Sequence, residues 1–233
     1  MLRNEGARQT VVRIGEENEP LCIIDDFLDE PLKFRNQAIQ GVPPRPDETL
    51  YPGLRAPAPE PYQALLDTVL RQLATDVFDI EVPPSPSLVS YCSLVATPTE
   101  KLKPAQQIPH FDQPNRRDLA VMHYFCEPHL GGTSFYRHRS SGYEYIDSGR
   151  MPGYFETIDR EVREIGLPTP PGYICGDTDL FERIYEVEAR WNRLVVYRTS
   201  SLHSGSIAQD YPFDLNPMTG RFTIASFWRS GIE

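Results

Sequence analysis

The residues best placed to do chemistry lie in the segment QQIPHFDQPNRRD, residues 106–118, where His110 and Asp112 are one residue apart. On an extended segment, residues i and i+2 project from the same face, so this imidazole and this carboxylate would converge on one point. A His-x-Asp triplet by itself is often only a surface ion pair. The same pair is also a metal-ligand arrangement, and the obvious third ligand is His203, which follows an apolar strand in RTSSLHSGS.

Two histidines and one carboxylate on one face of a metal ion leave the opposite face open, as in the facial triad of non-haem Fe(II) oxygenases. The three remaining histidines compete less well for such a site. His123 lies inside an otherwise apolar strand, His129 lies in a turn, and His138 follows a strand among arginines. None of these three has a carboxylate partner two residues away at a strand end.

Short segments rich in β-branched and aromatic residues, bounded by Pro, Gly or Asn, predict the strands that would position these ligands. They are residues 86–96, 118–127, 132–138, 192–200 and 221–229, preceded by a short apolar strand at residues 21–24. The chain also contains 23 prolines against 15 glycines, which is typical of many turns and few long helices. The sequence therefore predicts a mainly β fold with flanking helices.

Two helices are predicted ahead of most of these strands. One begins near Pro31 and ends at Gly41, and the other extends over residues 62–78, where apolar residues recur with helical spacing. Both are expected to pack on the major sheet.

We expect one domain over residues 1–233, because β domains of this size are commonly undivided. Three segments are predicted to lie outside its core. They are a polar lead-in at residues 1–19, a proline-rich loop at residues 42–61, and an insertion between core strands at residues 140–180 that contains a short helix at residues 154–167.

Composition excludes several classes of protein. The formal net charge of −10 would repel a phosphate backbone, so nucleic acid is not expected as a partner. The four cysteines form no CxxC pair, which argues against a zinc knuckle or a disulfide framework. With no signal-like or membrane-spanning apolar run, we expect a cytoplasmic protein with reduced cysteines.

The elements HFD at 110–112, HYFCEPHLGGTSFYRH at 123–138, HSGS at 203–206 and the arginine that opens the last strand resemble the 2-oxoglutarate- and Fe(II)-dependent dioxygenase superfamily. The likeness is greatest to its prolyl-hydroxylase-like members and to a bacterial subgroup that shares the Gly-Gly-Thr and Tyr-Arg-His elements. It covers about residues 20–230. It implies a double-stranded β-helix, a jelly-roll or cupin-like barrel, as the fold.

The resemblance also implies a set of roles. His110, Asp112 and His203 would hold Fe(II), leaving positions for 2-oxoglutarate and O2. Arg221 would bind the far carboxylate of 2-oxoglutarate through two parallel charge-assisted hydrogen bonds. Because 18 positions separate His203 from Arg221, more than in many relatives, Arg198 remains a rival anchor.

Tyr124 and Tyr91, on strands on either side of the His-x-Asp turn, are further candidates for binding the co-substrate carboxylate, although buried tyrosine is also ordinary core material. Arg116, Arg137 and Arg139 belong to two local basic pairs. These pairs would either form a solvated rim or steer an anionic substrate towards the site.

The function that the resemblance implies is a 2-oxoglutarate-dependent hydroxylase that releases succinate and CO2 and oxidises a C–H bond of a small molecule, amino acid or peptide. The acidic ligand Asp112 favours hydroxylation over halogenation, because halogenating relatives carry Ala or Gly there. Two alternatives stay open at this point: a metal-binding jelly-roll module without turnover, and a structural jelly roll in which the triad is a coincidence.

Overall fold

Eleven β-strands and three α-helices make up the regular structure of the computed structural model, which describes residues 1–41, 44–46, 49–167, 169–208 and 210–231. The helices are α1 (Pro31–Ile39), α2 (Glu60–Asp76) and α3 (Met151–Glu164). The strands are β1 (Arg8–Ile14), β2 (Glu19–Asp25), β3 (Arg45–Pro46), β4 (Gly53–Pro57), β5 (Ser87–Val95), β6 (Leu119–Tyr124), β7 (Thr133–His138), β8 (Phe181–Val187), β9 (Arg193–Arg198), β10 (His203–Gly205) and β11 (Phe222–Arg229).

The strands form two antiparallel sheets. The larger sheet has eight strands in the order β1-β2-β9-β6-β11-β5-β4-β3, and the smaller has three in the order β10-β7-β8. In the larger sheet Thr223 of β11 is paired with Ser93 on one side and Tyr124 on the other. Directly paired residues point to the same face of a sheet, so these three side chains lie on one face.

That face, called the inner face below, shares a hydrophobic core with the smaller sheet. Tyr124, Val195 and Tyr197 of the larger sheet belong to the same buried cluster as Phe135 and Val187 of the smaller one. The alternation of side chains along β6 and β9 directs every second residue to this core and the residues between them to the opposite face.

The opposite face of the larger sheet is covered by α1 and α2. Phe34 of α1 and Leu66 and Leu70 of α2 pack in one cluster with Ile24 and Ile224 from the sheet. Full burial of a leucine or phenylalanine side chain stabilises a fold by about 1.5–3 kcal/mol, so this layer is a large contribution to stability. The predicted packing of the N-terminal helices on the major sheet is confirmed.

The third helix, α3, packs on the smaller sheet. Tyr154 and Ile158 of α3 are buried in a cluster with Tyr136 of β7 and Phe181 of β8. The predicted short helix at residues 154–167 is therefore present, but it begins three residues earlier, at Met151, and ends at Glu164.

Several strands were not predicted, and each lacks the pattern on which strand prediction depends. β1 lies in the expected polar lead-in and exposes most of its residues, because it is an edge strand. β4 lies in the expected proline-rich loop, of which residues 42, 43, 47 and 48 are outside the described residues. β8 carries Glu182, Arg183 and Glu186, so its charged composition lacks the apolar pattern that predicts a strand. The short β3 and β10 were also not predicted.

Among the described residues, no helix combines the length and the apolar composition needed to cross a membrane.

Candidate metal centre

The backbone brings His110 and His203 side by side although they are far apart in sequence. The two residues form an isolated antiparallel bridge, in which the His110 amide donates to the His203 carbonyl at 2.9 Å and the His203 amide donates back at 2.8 Å. The Asp112 amide donates to the carbonyl of Thr199 at 2.8 Å. These hydrogen bonds fix the His-x-Asp segment against residues 199–203, which lead into β10.

The side chains that this pairing brings together form one cluster. Ligand atoms of His110, Asp112 and His203 all lie within 4.8 Å of one another. The Asp112 carboxylate is 3.8 Å from His110 Nε2 and 3.6 Å from His203 Nε2, too far for hydrogen bonds. A single ion could therefore contact all three, and among the described residues no other group of His, Cys, Asp and Glu is arranged in this way.

Asp112 provides the most direct sign that a cation belongs here. Its Oδ2 atom is buried and has no hydrogen-bond partner, and only 17% of the side chain is exposed. Burial raises the pKa of this carboxyl, while the nearby His110 and Arg55 act to lower it. A buried carboxylate oxygen without a partner costs free energy unless a cation neutralises it, so the site suits a metal ion.

His203 is held in the tautomer that a metal requires. Its Nδ1 lies 2.9 Å from the carbonyl oxygen of Ser201, and because a carbonyl only accepts, Nδ1 must carry the proton. The lone pair is then on Nε2, the nitrogen that faces Asp112. Phe135 and Tyr197 pack against the imidazole, with the Tyr197 ring centroid 4.8 Å away. A carbonyl partner for the ring nitrogen that does not face the metal position, here that of Ser201, is typical of metal-binding histidines.

Both histidines of the cluster are neutral near pH 7. Burial lowers the pKa of His203 to about 4. The pKa of His110 is lowered too, by burial and then by His203, although exposure of 52% of its side chain to solvent weakens that shift. Neutral imidazole is the form that binds a metal.

Arg221 lies on the inner face and is 3% exposed. Its Nε donates to the Gly131 carbonyl at 2.9 Å and its Nη2 donates to the Gly132 carbonyl at 2.8 Å. No carboxylate within the described ranges forms an ion pair with it. A buried guanidinium with no carboxylate partner among the described residues is an apt receptor for an anion.

The structure also explains the Gly-Gly element. Gly131 has φ +91, and a Cβ there would overlap the Ser206 carbonyl oxygen. At Gly132 a Cβ would overlap the carbonyl oxygen of Val187. Both glycines allow the close backbone approach that directs their carbonyls at Arg221.

Two hydroxyl groups near Arg221 were missed by sequence reasoning. The Oγ1 of Thr223 and the hydroxyl of Tyr51 are buried without hydrogen-bond partners. Burial raises the pKa of Tyr51 to about 12, against the opposing positive charges of Arg221 and Arg55. Thr223 could have been found, because it follows Arg221 by two residues on one strand face. Tyr51 lies in the proline-rich segment and had no such signal.

The two tyrosines named from the sequence both lie on the inner face. The Tyr124 hydroxyl is 2.6 Å from Thr133 Oγ1, and its ring centroid lies 5.8 Å from the guanidinium carbon of Arg221. Tyr91 is partly exposed, and its ring centroid lies 5.2 Å from the guanidinium carbon of Arg55.

Arg198, the rival anchor, is directed away from this face. It follows Tyr197 on β9, so the two side chains project to opposite faces of the sheet. Arg198 donates to the carbonyls of Phe78 and Arg116 and lies 3.6 Å from Glu19 Oε2. Its Nη1 and Nη2 atoms are therefore engaged outside the candidate site.

The basic residues suggested for substrate contact each pair with a carboxylate. The closest pairs are Arg116 with Glu19 at 2.6 Å, Arg137 with Glu144 at 2.6 Å, and Arg139 with Asp177 at 3.3 Å. Only 17% of the Arg137 side chain and 1% of the Glu144 side chain are exposed, so this pair is part of the packing. The pairing favours a structural role over substrate steering.

The remaining histidines have other surroundings. His123 is fully buried, with Nδ1 3.1 Å from the Tyr62 hydroxyl and Nε2 3.2 Å from Asn192 Oδ1. His138 is buried with Nε2 2.8 Å from Glu161 Oε2. His129 is exposed.

The chain is similar to several solved structures. SnoK, a non-heme α-ketoglutarate-dependent carbocyclase from nogalamycin biosynthesis, is 11% identical with a TM-score of 0.49, over 92% of this chain and 81% of SnoK. HygX from Streptomyces hygroscopicus, crystallised with nickel and 2-oxoglutarate, is 12% identical with a TM-score of 0.46, over 93% of this chain and 85% of HygX.

A third similar structure is that of an N-substituted L-amino acid dioxygenase from Burkholderia ambifaria AMMD. It is 12% identical to the chain with a TM-score of 0.42, over 98% of this chain and 99% of the dioxygenase.

No curated protein matches the sequence. One family model matches nearly all of it, over residues 5–228, and its description is DUF6445, a family of unknown function. The chain, with its triad of His110, Asp112 and His203, therefore belongs to the DUF6445 family.

Proposed function

We propose that this protein is an Fe(II)- and 2-oxoglutarate-dependent oxygenase that hydroxylates a C–H bond of a small molecule, amino acid or peptide and releases succinate and CO2. One observation carries the proposal. Ligand atoms of His110, Asp112 and His203 lie within 4.8 Å of one another, and the Asp112 Oδ2 atom is buried without a partner. This is the donor set of the facial triad.

The residues fit Fe(II) better than a structural zinc ion. Two imidazoles and one carboxylate suit a divalent ion of intermediate softness, and three protein ligands leave coordination positions open. All four cysteines are free and none belongs to the cluster, which removes the thiolates common in closed zinc sites. The bound iron would supply the redox chemistry that couples conversion of 2-oxoglutarate to succinate and CO2 with substrate oxidation.

The chain's own groups would hold and orient the co-substrate. Arg221 would bind the distal carboxylate of 2-oxoglutarate, since it is buried and has no carboxylate partner among the described residues. The unpartnered hydroxyls of Thr223 and Tyr51 would donate to the same carboxylate. Three donors around one buried anion would offset the cost of removing it from water.

Other residues would preserve the geometry of the ligands. The hydrogen bond from His203 Nδ1 to the Ser201 carbonyl keeps the Nε2 lone pair directed at the metal position. Tyr197, which is 3% exposed and packs on the same imidazole, would exclude water from that side.

We further propose that the two sheets form the double-stranded β-helix that the sequence resemblance implies. Support comes from the core that the eight-stranded and three-stranded sheets share, with the triad between β10 and residues 110–112. We expect a cytoplasmic enzyme without a nucleic-acid partner, in keeping with its acidic charge and free cysteines.

The test is an anaerobic titration of the metal-free protein with Fe(II) and 2-oxoglutarate. A visible metal-to-ligand charge-transfer band is expected for the wild type and for His129→Ala, a control that removes an exposed histidine outside the triad. The band should be lost in His203→Ala. Folded wild-type protein that shows no band would refute the proposal.

Admission of air to the same complex tests turnover. Succinate formation from 2-oxoglutarate, measured by NMR, is expected in the wild type and absent in His203→Ala. A band without succinate formation, across a panel of candidate substrates, would instead indicate a metal-binding module that does not turn over.

A further inference from the structure

A second cation lies on the inner face, nearer the edge of the sheet than Arg221. Arg55 of β4 is paired with Ser93, Ser93 with Thr223, and Thr223 with Tyr124. Since directly paired residues share a face, Arg55 projects to the same face as these three residues.

Aromatic rings surround the Arg55 guanidinium. Its carbon lies 4.0 Å from the ring centroid of Tyr51, 5.2 Å from that of Tyr91 and 5.9 Å from that of Phe227. Rings stacked on a guanidinium face restrict its orientation without using its N–H donors, which lie in the guanidinium plane. Arg55 also takes part in a further contact within the chain, and five donors allow it to bind an anion as well.

The inner face beside Arg55 is open to solvent. Tyr91, Met122 and Phe227 project to this face and are only partly buried, and Val89 is 42% exposed. Deeper on the same face, side chains such as Val195 are fully buried against the smaller sheet. The open area is therefore apolar and aromatic, with Arg55 at its margin.

Strand pairing connects this open area to the metal centre through two buried residues. Phe227 is paired with Ala120, and Ala120 with Tyr197, whose ring centroid lies 4.8 Å from that of His203. The charge of Arg55 also acts on His110 and Asp112, as expected of a group close to both. A molecule that spans from Arg55 across Phe227 would approach the ligands of the metal.

We infer that Arg55 and the aromatic surface formed by Tyr91 and Phe227 are the substrate subsite, and that the substrate is a small molecule with a carboxylate attached to an apolar or aromatic body. Arg55 binds the carboxylate, and the two rings contact the body. The inference rests on the proposed function, in which Arg221 holds the co-substrate. Arg221 and Arg55 then correspond to two different carboxylates, in a protein whose net charge of −10 otherwise disfavours anions.

The test uses protein loaded with Ni(II) and 2-oxoglutarate, which cannot turn over. Phenylacetate, hexanoate and N-acetylphenylalanine are titrated calorimetrically, each beside the primary amide of the same skeleton. At least one carboxylate should bind about tenfold or more tightly than its amide, because a charge-assisted hydrogen bond is lost in the amide. This preference should vanish in Arg55→Met, be reduced in Arg55→Lys, and persist in Arg8→Met, which removes an exposed arginine on β1.

Three results would overturn the inference. The first is that no carboxylate binds more tightly than its amide in the wild type. The second is that the preference survives in folded Arg55→Met. The third is that Arg55→Met instead weakens 2-oxoglutarate binding. The last result would assign Arg55 to the co-substrate. Failure of the proposed function is separate, because it appears as wild-type protein that forms no charge-transfer band with Fe(II) and 2-oxoglutarate.

Discussion

Replacement of Arg221 tests the proposed co-substrate site most directly. The guanidinium is 3% exposed, and two of its N–H groups are held by the carbonyls of Gly131 and Gly132. Those bonds orient the remaining donors towards the inner face, where the Thr223 and Tyr51 hydroxyls have no partners. Arg221→Gln removes the charge but keeps an amide group that can still donate to one glycine carbonyl.

The expected magnitude follows from the bonds that are lost. A hydrogen bond to a charged group contributes about 1.5–3 kcal/mol, and Arg221 can make two to a carboxylate. A total of about 3 kcal/mol corresponds to roughly 150-fold weaker binding of 2-oxoglutarate. Arg221→Lys keeps the charge and loses the fork, so about tenfold weaker binding is expected.

The assay is an anaerobic titration of the Fe(II)-loaded variants with 2-oxoglutarate, followed by the charge-transfer band. Fe(II) affinity, measured by competition with a chelator, should be unchanged, because Arg221 is not a member of the metal cluster. Circular dichroism would verify folding, since an unpaired glycine carbonyl costs about 1–3 kcal/mol of stability.

Arg198→Gln is the matched control. It replaces a part-buried arginine that donates to the carbonyls of Phe78 and Arg116 and forms an ion pair with Glu19, and whose side chain projects away from the inner face. It should leave 2-oxoglutarate affinity within about twofold of wild type. If folded Arg221→Gln binds 2-oxoglutarate like wild type, or if Arg198→Gln shows the larger loss, the assignment of the anchor is wrong.

Three further predictions concern the metal, the packing and the pH dependence. Asp112→Asn should weaken Fe(II) binding at least about tenfold, about 1.4 kcal/mol, in chelator competition, because the anionic ligand is lost; equal affinity would contradict the ligand role. Gly132→Ala should lower the free energy of unfolding by about 2–3 kcal/mol, because the added Cβ would overlap the Val187 carbonyl. The control is Gly153→Ala, which should not be destabilising because Gly153 lies in α3 with open space around it. Burial lowers the pKa of His123 from 6.5 to about 3. Below pH 6.5 the unfolded state therefore binds a proton that the folded state does not, and the free energy of unfolding falls as pH decreases. Urea unfolding at pH 7 and pH 5 should differ by about 2 kcal/mol from this residue, and the difference should shrink in His123→Gln; an unchanged difference would argue against a neutral buried His123.

Local sequence patterns were sufficient for the elements rich in apolar residues. The β-branched and aromatic residues in 86–96, 118–127 and 221–229 predicted β5, β6 and β11, and the helical spacing in residues 62–78 predicted α2. Strand periodicity also indicated that Arg221 and Thr223 share a face. Elements with weak patterns were missed, such as the exposed edge strand β1 and the charged strand β8.

Residue type and spacing alone selected His110, Asp112 and His203, since i and i+2 on an extended segment point the same way whatever surrounds them. Whether the third residue reaches the other two depends on the bridge between two segments 93 positions apart, where a slip of one residue would turn a side chain to the other face. The tertiary structure decided this register. It also directed Arg198 away from the site and brought Tyr51 beside Arg221, because contacts between distant segments depend on the packing of the whole chain and leave no local pattern in the sequence.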